Sequence, residues 1–249
     1  MSRAGGWTHP ALAGAGGKAA IVLLPLGSVE AHGPHLPPET DTLIAEHLAR
    51  AVAARIEGEM ELPAPIAPAI TGTSSSYADG FPGTVSMPAR DAKRILKEEI
   101  SSLYRSGARR IVLVNLHFDP VHMGSVRETA VEMAGDGAGA MLFPDFTQRH
   151  HAQRIGGEFA TGSCHAGRFE TSLMLAAAPD KVKDGYRTLP PLFVDLPAAI
   201  KDGKRGFKEI GMGQGYCGEP ATATRGEGQS LFKTLADIVF EECVSAWRS

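Results

Sequence analysis

Two short, uninterrupted apolar runs constrain the fold of this chain most. AAIVLLPL occupies residues 19–26 and RIVLVN occupies residues 110–115, and both are rich in isoleucine, valine and leucine. Runs of this kind are typical of strands that are buried on both faces, as in parallel sheets covered by helices. They predict an α/β fold in which both runs are strands of the sheet.

Helical patterns separate and follow these strands. The spacing of apolar residues predicts helices from near Thr40 and at residues 91–106, 121–133, 169–177 and 231–243, with a further strand at 140–143 and an irregular edge strand at 63–70. Such alternation indicates a mostly parallel sheet with helices on both faces. The strands are too few for an eight-stranded barrel. We therefore expect one three-layer αβα domain over residues 1–249, of which residues 1–18 form a flexible N-terminal segment.

Composition excludes several classes of protein. Lys+Arg 25 and Asp+Glu 28 give a formal net charge of −3 without a basic block, which argues against general nucleic-acid binding. No apolar run approaches the roughly 20 residues that span a bilayer, so no membrane association is expected. Three scattered cysteines form neither a disulfide framework nor a zinc ribbon. We expect a cytoplasmic protein that acts on a small-molecule substrate.

The loop after the first strand, GSVEAHGPHLPPETD at residues 27–41, is dense in potential metal ligands. Its twelve residues from position 30 include five of them, namely Glu30, His32, His35, Glu39 and Asp41. In an extended segment Glu30 and His32 project to the same side, because they are two residues apart. Asp41 at the start of the next helix could turn back toward this loop. Alternatively, the segment is a polar loop in which Asp41 only favours the helix start.

A second group, VNLHFDP at residues 114–120, follows the second clear strand and again places an imidazole and a carboxylate two residues apart, in His117 and Asp119. Ligand sites of open α/β sheets lie beyond the carboxyl ends of the strands, so both loops should meet there. In the alternative interpretation, His117 only bonds backbone at the end of the strand. Asp119 could likewise cap the helix that starts near Pro120.

A third group, GSCHAGRFETS at residues 162–172, places His165 and Glu170 on either side of a small Ala-Gly pair. Glu170 could be a ligand, or a favourable charge near the start of a helix. Cys164 lies beside His165 in sequence. We do not expect a thiol–imidazole dyad, because the side chains of sequence neighbours usually point apart.

Together these groups offer carboxylates and imidazoles rather than thiolates, which suits a pair of divalent ions such as Zn²⁺ or Mn²⁺, or alternatively Fe. The set comprises Glu30, His32, Asp41, His117, Asp119 and Glu170. A pair of ions needs a bridging carboxylate, and Asp41 is the natural candidate. A bridging water would lose a proton near neutral pH, and a neutral imidazole could carry protons to a leaving nitrogen.

These segments resemble, in this order, those of the creatininase family of metal-dependent amidohydrolases. The matching pieces are PLGSVEAHGPHLPPETD (25–41), GFPGTVSM (80–87), VNLH (114–117), CHAGRFETS (164–172) and GYCGEPATATRGEG (215–228). The resemblance implies an αβα domain, a binuclear metal site, amide hydrolysis through a bridging hydroxide, and a homo-oligomer that is often hexameric. It assigns Glu30, His32, Asp41 and His117 to the metals. His165 matches the acid/base position, and Glu170 matches the acidic residue beside the site.

Two departures from the family pattern bear on substrate. This chain reads NLHFDP where most members read N-G-H-G-G-N, and Asp119 stands where creatininases proper carry a ligating glutamate. We therefore predict that Asp119 binds one ion together with His32 and Asp41. The tryptophans that close the creatininase pocket are missing here, since the chain has only Trp7 and Trp247. Creatinine is thus not expected as substrate, and we predict that Tyr77 and Phe118 contact the true one.

Three functions remain open at this stage. The first, which is the leading hypothesis, is hydrolysis of the non-peptide C–N bond of a cyclic amide or formamide, with His165 as proton shuttle and Glu170 as the second catalytic residue. The second keeps the metals but changes the bond, to a peptide or a carbon-ring ketone, because relatives include such hydrolases. The third is a non-catalytic binding protein on the same fold, which the complete set of ligand types argues against.

Overall fold

The computed structural model describes residues 20–134 and 139–247, so the predicted flexible segment 1–18 lies outside the described residues. Its sheet contains β1 (Ile21–Leu26), β2 (Arg110–Asn115) and β3 (Ala140–Leu142), all parallel and in that spatial order. Residues 63–70 run along β1, with a hydrogen bond of 2.9 Å from Ile21 N to Pro63 O and single parallel bridges farther along. Three prolines in this segment explain why it pairs irregularly.

The five longer helices lie at the predicted positions, whereas the three shorter ones were not predicted. Longer helices are α1 (Thr40–Arg55, continued by a π-turn over Ile56–Met60), α2 (Ala89–Arg105), α3 (Pro120–Ala134), α6 (Arg168–Ala177) and α8 (Arg225–Trp247). Shorter ones are α4 (Arg149–Ile155), α5 (Gly157–Thr161) and α7 (Leu196–Lys201). None of the helices within the described ranges is long and apolar enough to cross a membrane.

Alternate residues of the two central strands enter two separate cores. On one face the strands pack against α1, α6 and α8 through Ile21, Leu23, Val112 and Val114. On the other face they pack against α2 and α3 through Val22, Leu24, Ile111 and Leu113. Because both faces are covered by helices, the strands are apolar throughout. The predicted three-layer α/β architecture is confirmed.

The two central strands end together, which places the loops that follow them at one edge of the sheet. Leu26, the last residue of β1, is in register with Asn115, the last residue of β2. The pairing continues one step further, because Leu116 N donates to Leu26 O at 3.2 Å. The ligand-rich loops 27–41 and 116–120 therefore start side by side, as expected at the carboxyl ends of parallel strands.

Candidate metal centre

Asp41 lies between two imidazoles at this edge of the sheet. Its Oδ1 is 3.0 Å from His32 Nε2, and its Oδ2 is 2.9 Å from His117 Nδ1. The carboxylate is held in this position because Ser28 Oγ donates to Oδ2 at 2.8 Å, while Thr42 Oγ1 donates to Ser28 O. The first turn of α1 is thereby fastened to the loop after β1, and one carboxylate faces two different rings.

Each imidazole is fixed by its other nitrogen. His32 Nδ1 lies 3.0 Å from Glu30 O, and His117 Nε2 lies 2.9 Å from Ser74 O. A carbonyl oxygen only accepts, so these nitrogens carry the protons. In the neutral rings, His32 Nε2 and His117 Nδ1 therefore present lone pairs toward Asp41. Metal-ligating histidines have this arrangement, in which a backbone carbonyl fixes the tautomer and orientation of the ring.

Two further carboxylates complete the cluster. Glu30 Oε1 is 3.5 Å from His117 Nδ1, and Glu170 Oε2 is 3.5 Å from His32 Nε2. Within the described residues, three groups could hold a metal ion: Glu30, Asp41 and His117; His32, Asp41 and Glu170; Glu30, His32 and His165. The first two groups share Asp41, so the structure offers two adjoining ligand sets with Asp41 as the common member.

The buried charges of this cluster need a cation. Burial lowers the pKa of His32, but Asp41, Glu170 and Glu30 together raise it to about 10. Burial likewise lowers the pKa of His117, yet Glu30 and Asp41 raise it to about 10. Burial also raises the pKa of Glu30 to about 7 and that of Glu170 to about 8. Carboxylates thus draw protons onto both rings unless another cation is present.

Two buried atoms indicate that a metal suits this site better than protons. His117 Nδ1 has no hydrogen-bond partner despite its closeness to Asp41, because the geometry is not that of a hydrogen bond, and Glu30 Oε2 has none either. Buried polar atoms without partners are rare and costly. Both atoms belong to the set of Glu30, Asp41 and His117, and a divalent ion would satisfy them. The donor set therefore fits the predicted metals.

His165 borders the cluster from the loop before α6. Its Nε2 donates to Ala31 O at 3.0 Å, and its Nδ1 lies 3.8 Å from Glu30 Oε1. The ring stacks between His32 and Phe207, with centroid distances of 4.5 and 4.3 Å. Burial and the neighbouring His32 lower the pKa of His165 to about 3. The ring is therefore neutral at neutral pH, with its proton on Nε2 and a lone pair on Nδ1.

A cavity opens above the cluster, and its wall is largely apolar. It is lined by Glu30, Asp41, Tyr77, Phe118, Asp119, Pro120, Cys164, His165, Glu170, Leu196, Ile200 and Phe207. The two predicted substrate contacts, Tyr77 and Phe118, are on this wall. Sequence reasoning missed Leu196, Ile200 and Phe207, which come from the loop-rich segment 180–225. Leu196 and Ile200 are four residues apart on α7, but this helix is too short for its apolar spacing to stand out in the sequence, and Phe207 comes alone from a short 3₁₀ turn.

Sequence comparison settles the family. The family model described as creatinine amidohydrolase, that of the creatininases, matches residues 6–243. The chain belongs to the creatininase family. A mycofactocin precursor peptide peptidase of Mycobacterium ulcerans (strain Agy99) is 35% identical over 232 residues, which are 90% of this chain and 83% of the relative. A creatinine amidohydrolase of Pseudomonas putida is 32% identical over 172 residues, covering 65% and 66% of the two chains.

The creatininase fold is also recognisable in three dimensions. A creatininase structure in its Mn form superposes with a TM-score of 0.67 at 25% identity and covers 92% of each chain. Family membership identifies the chain as a creatininase-family hydrolase, and the donor cluster supplies candidate metal-binding residues.

Asp119 is placed differently from the other predicted ligands. Its carboxylate accepts hydrogen bonds from Tyr77 N at 2.9 Å, from Val121 N at 2.8 Å, and from Ser76 Oγ and His122 N. It thus caps α3 and holds the Tyr77 segment, and it is in none of the three ligand groups. The residue that the structure places beside His32 and Asp41 is Glu170. That Asp119 binds metal stays a prediction of the family pattern.

Replacing Asp119 by asparagine separates the two roles. The side-chain oxygen would still cap α3, whereas the new NH₂ group would face the N–H of Tyr77 and lose that bond. We expect the free energy of unfolding to fall by about 1–3 kcal/mol, with unchanged metal content, if the carboxylate only caps. A weaker affinity for one of the ions, measured by titration of the metal-stripped protein, would instead establish Asp119 as a ligand.

Proposed function

We propose that this chain is a binuclear metal-dependent hydrolase that cleaves the C–N bond of a peptide amide. One observation supports the binuclear site above all, namely that the two oxygens of Asp41 face two imidazoles whose other nitrogens are fixed by backbone carbonyls. Glu30, Asp41 and His117 would hold one ion, and His32, Asp41 and Glu170 the other. Such carboxylate and imidazole sets suit Zn²⁺ or Mn²⁺.

Bound ions of this kind polarise a carbonyl oxygen and lower the pKa of water. The rest of the chemistry falls to the chain itself. His165 presents the lone pair of Nδ1 to the cluster from the side of Glu30, so it would accept a proton from an attacking water whose pKa the ions lower and pass it to the departing nitrogen. Its Nε2–H remains bonded to Ala31 O and keeps the ring in this orientation.

The wall of the cavity supports a peptide rather than creatinine. Tyr77, Phe118, Leu196 and Phe207 provide an apolar surface for a side chain of the substrate and keep bulk water from the reacting amide. No tryptophan lines the described cavity. The mycobacterial relative, which matches 90% of this chain, is named as a peptidase of a peptide precursor, whereas the creatinine amidohydrolase matches 65%.

A substrate panel tests this proposal. Protein stripped of metal and reloaded with Zn²⁺ or Mn²⁺ would be incubated with short peptides, including the mycofactocin precursor peptide, and with lactams, hydantoins, formamides, inososes and creatinine. We expect new amino termini from peptides and negligible turnover of creatinine. Asp41→Ala protein, purified in parallel, controls for contaminating peptidases. Turnover of a cyclic amide or of creatinine, without any cleavage of peptides, would contradict the peptide assignment.

A further inference from the structure

Glu158 makes unusual contacts for a residue outside the metal cluster. It lies half-buried on α5, in a cleft that it shares with Ser163, Arg168 and Glu219. Its Oε2 accepts a hydrogen bond of 2.9 Å from Phe169 N, and its Oε1 accepts one of 2.7 Å from Glu219 N. One carboxylate thus joins the backbone at the start of α6 to the backbone that follows Cys217 and Gly218.

Two glycines allow the backbone to come this close. A Cβ atom at Gly167 would lie 2.4 Å from Glu158 Oε2, and one at Gly218 would lie 1.9 Å from Oε1. Gly218 also has a φ of 81°, which favours glycine. Any side chain at either position would push the carboxylate away. The H-A-G and C-G-E segments therefore fit around Glu158.

This carboxylate replaces a cap that the sequence cannot provide locally. Gly167 precedes α6 and has no side chain that could bond the first N–H groups of the helix. Glu158 reaches them from α5, and its charge is favourable at a helix N-terminus.

The segment held in this way contains His165. Cys217 N donates a hydrogen bond of 2.9 Å to His165 O. Cys217 lies two residues before Glu219, whose backbone N–H bonds Glu158. Glu158 is therefore connected to the backbone of His165 through residues 217–219. The next residue, Ala166, has a φ of 48°, a conformation that costs energy in a residue other than glycine. Ala166 N donates to Glu170 Oε2 at 2.7 Å on the other side. The strained turn is thus held on the side of the ligand cluster by the hydrogen bond to Glu170, and on the opposite side by the backbone segments that Glu158 bonds.

We propose that Glu158 is a positioning residue for His165, acting through the two backbone hydrogen bonds that fix the turn over residues 164–167. The functional part of this inference rests on the proposed role of His165 in proton transfer. Glu158 bonds no side chain of the two ligand sets that share Asp41, and it is not among the residues that line the cavity above them. We expect Glu158 to affect the reaction through the orientation of the His165 imidazole and to leave the binding of metal ions unchanged.

The test compares Glu158→Gln with Glu227→Gln in the Zn²⁺-loaded full chain. Glutamine has the same size but one acceptor oxygen, so its NH₂ group would face one of the two backbone N–H groups. Glu227 is a matched control, because its carboxylate lies in the same cleft and bonds Arg168 Nε and Ser172 Oγ but no backbone of the turn. Metal content is measured in both variants and is expected to equal that of wild type.

Two readouts need no substrate. We expect hydrogen exchange in residues 164–169 and 217–219 to accelerate roughly tenfold in Glu158→Gln and to stay at the wild-type rate in Glu227→Gln. The NMR signal of the His165 Nε2 proton, which is bonded to Ala31 O, should shift or broaden only in Glu158→Gln. Unchanged signals in Glu158→Gln, or equal changes in the two variants, would overturn the positioning role whatever the substrate is.

Kinetics on a peptide that the panel identifies add the functional readout. Glu158→Gln should lower kcat by about 10- to 100-fold with KM nearly unchanged, because a misplaced base affects the chemical step rather than binding. An unchanged kcat would refute the functional part even where exchange accelerates. If Glu158→Gln does not fold, hydrogen exchange is measured in the wild-type protein instead. The amides of Phe169 and Glu219 are expected to exchange slowly, because both bond Glu158, and fast exchange at both would contradict the proposal.

Discussion

Replacing Asp41 by alanine is expected to remove both metal ions and to reduce hydrolysis to background. Asp41 is the only residue common to the two adjoining ligand sets, and its oxygens lie 3.0 and 2.9 Å from the two ligating nitrogens. Without it, each ion would keep only two of its three protein ligands. Elemental analysis after gel filtration should show a fall from about two ions per chain to nearly none.

A control at the same helix start makes this result specific. Glu39 immediately precedes α1 and pairs with Lys181 at the surface, so Glu39→Ala removes a charge nearby without touching the cluster. This variant should keep both ions. Circular dichroism of Asp41→Ala checks that the fold survives. Two ions per chain in folded Asp41→Ala protein would contradict the bridging assignment.

The second large effect is expected at His165. Glutamine can still donate to Ala31 O from its NH₂ group, but it has no nitrogen that accepts a proton at the position of Nδ1. We expect His165→Gln to lower kcat by roughly 10²–10⁴-fold on the peptide substrate, while metal content and Tm stay near those of wild type. Steady-state kinetics, elemental analysis and thermal melts measure the three quantities.

His151 provides the matched control for this variant. It is as buried as His165, at 8% exposure, but lies on α4 and bonds Asp145 O, away from the cavity. His151→Gln should leave kcat unchanged, even if it lowers Tm. Normal turnover by His165→Gln would remove His165 from the mechanism, and with it the functional role inferred for Glu158.

The sequence predicts this fold well where a pattern repeats. β2 occupies the predicted residues 110–115, because a buried parallel strand has a continuous apolar pattern that ends in Asn115. The meeting of the loops after β1 and β2 also follows from topology alone, since parallel strands have their carboxyl ends at one edge. These two facts already bring His32, Asp41 and His117 together.

Spacing in sequence was a poorer guide to the remaining groups. Glu30 and His32 are two residues apart, as are His117 and Asp119, so the spacing predicts the same role for both pairs. The second pair differs because α3 begins at Pro120, directly after Asp119. The Asp119 carboxylate therefore bonds the first N–H groups of that helix. Glu170 comes to His32 through the packing of α6, which no local pattern reveals. The same holds for Glu158, whose partners are up to 61 positions away in the sequence.

Crystals of the protein grown with Mn²⁺ offer the most direct test of the central claim, through an anomalous difference map recorded near the manganese edge. The shared carboxylate predicts two peaks per chain on either side of Asp41, one beside Glu30 and His117 and the other beside His32 and Glu170. A single peak, or peaks that lie away from Asp41, would contradict the binuclear centre.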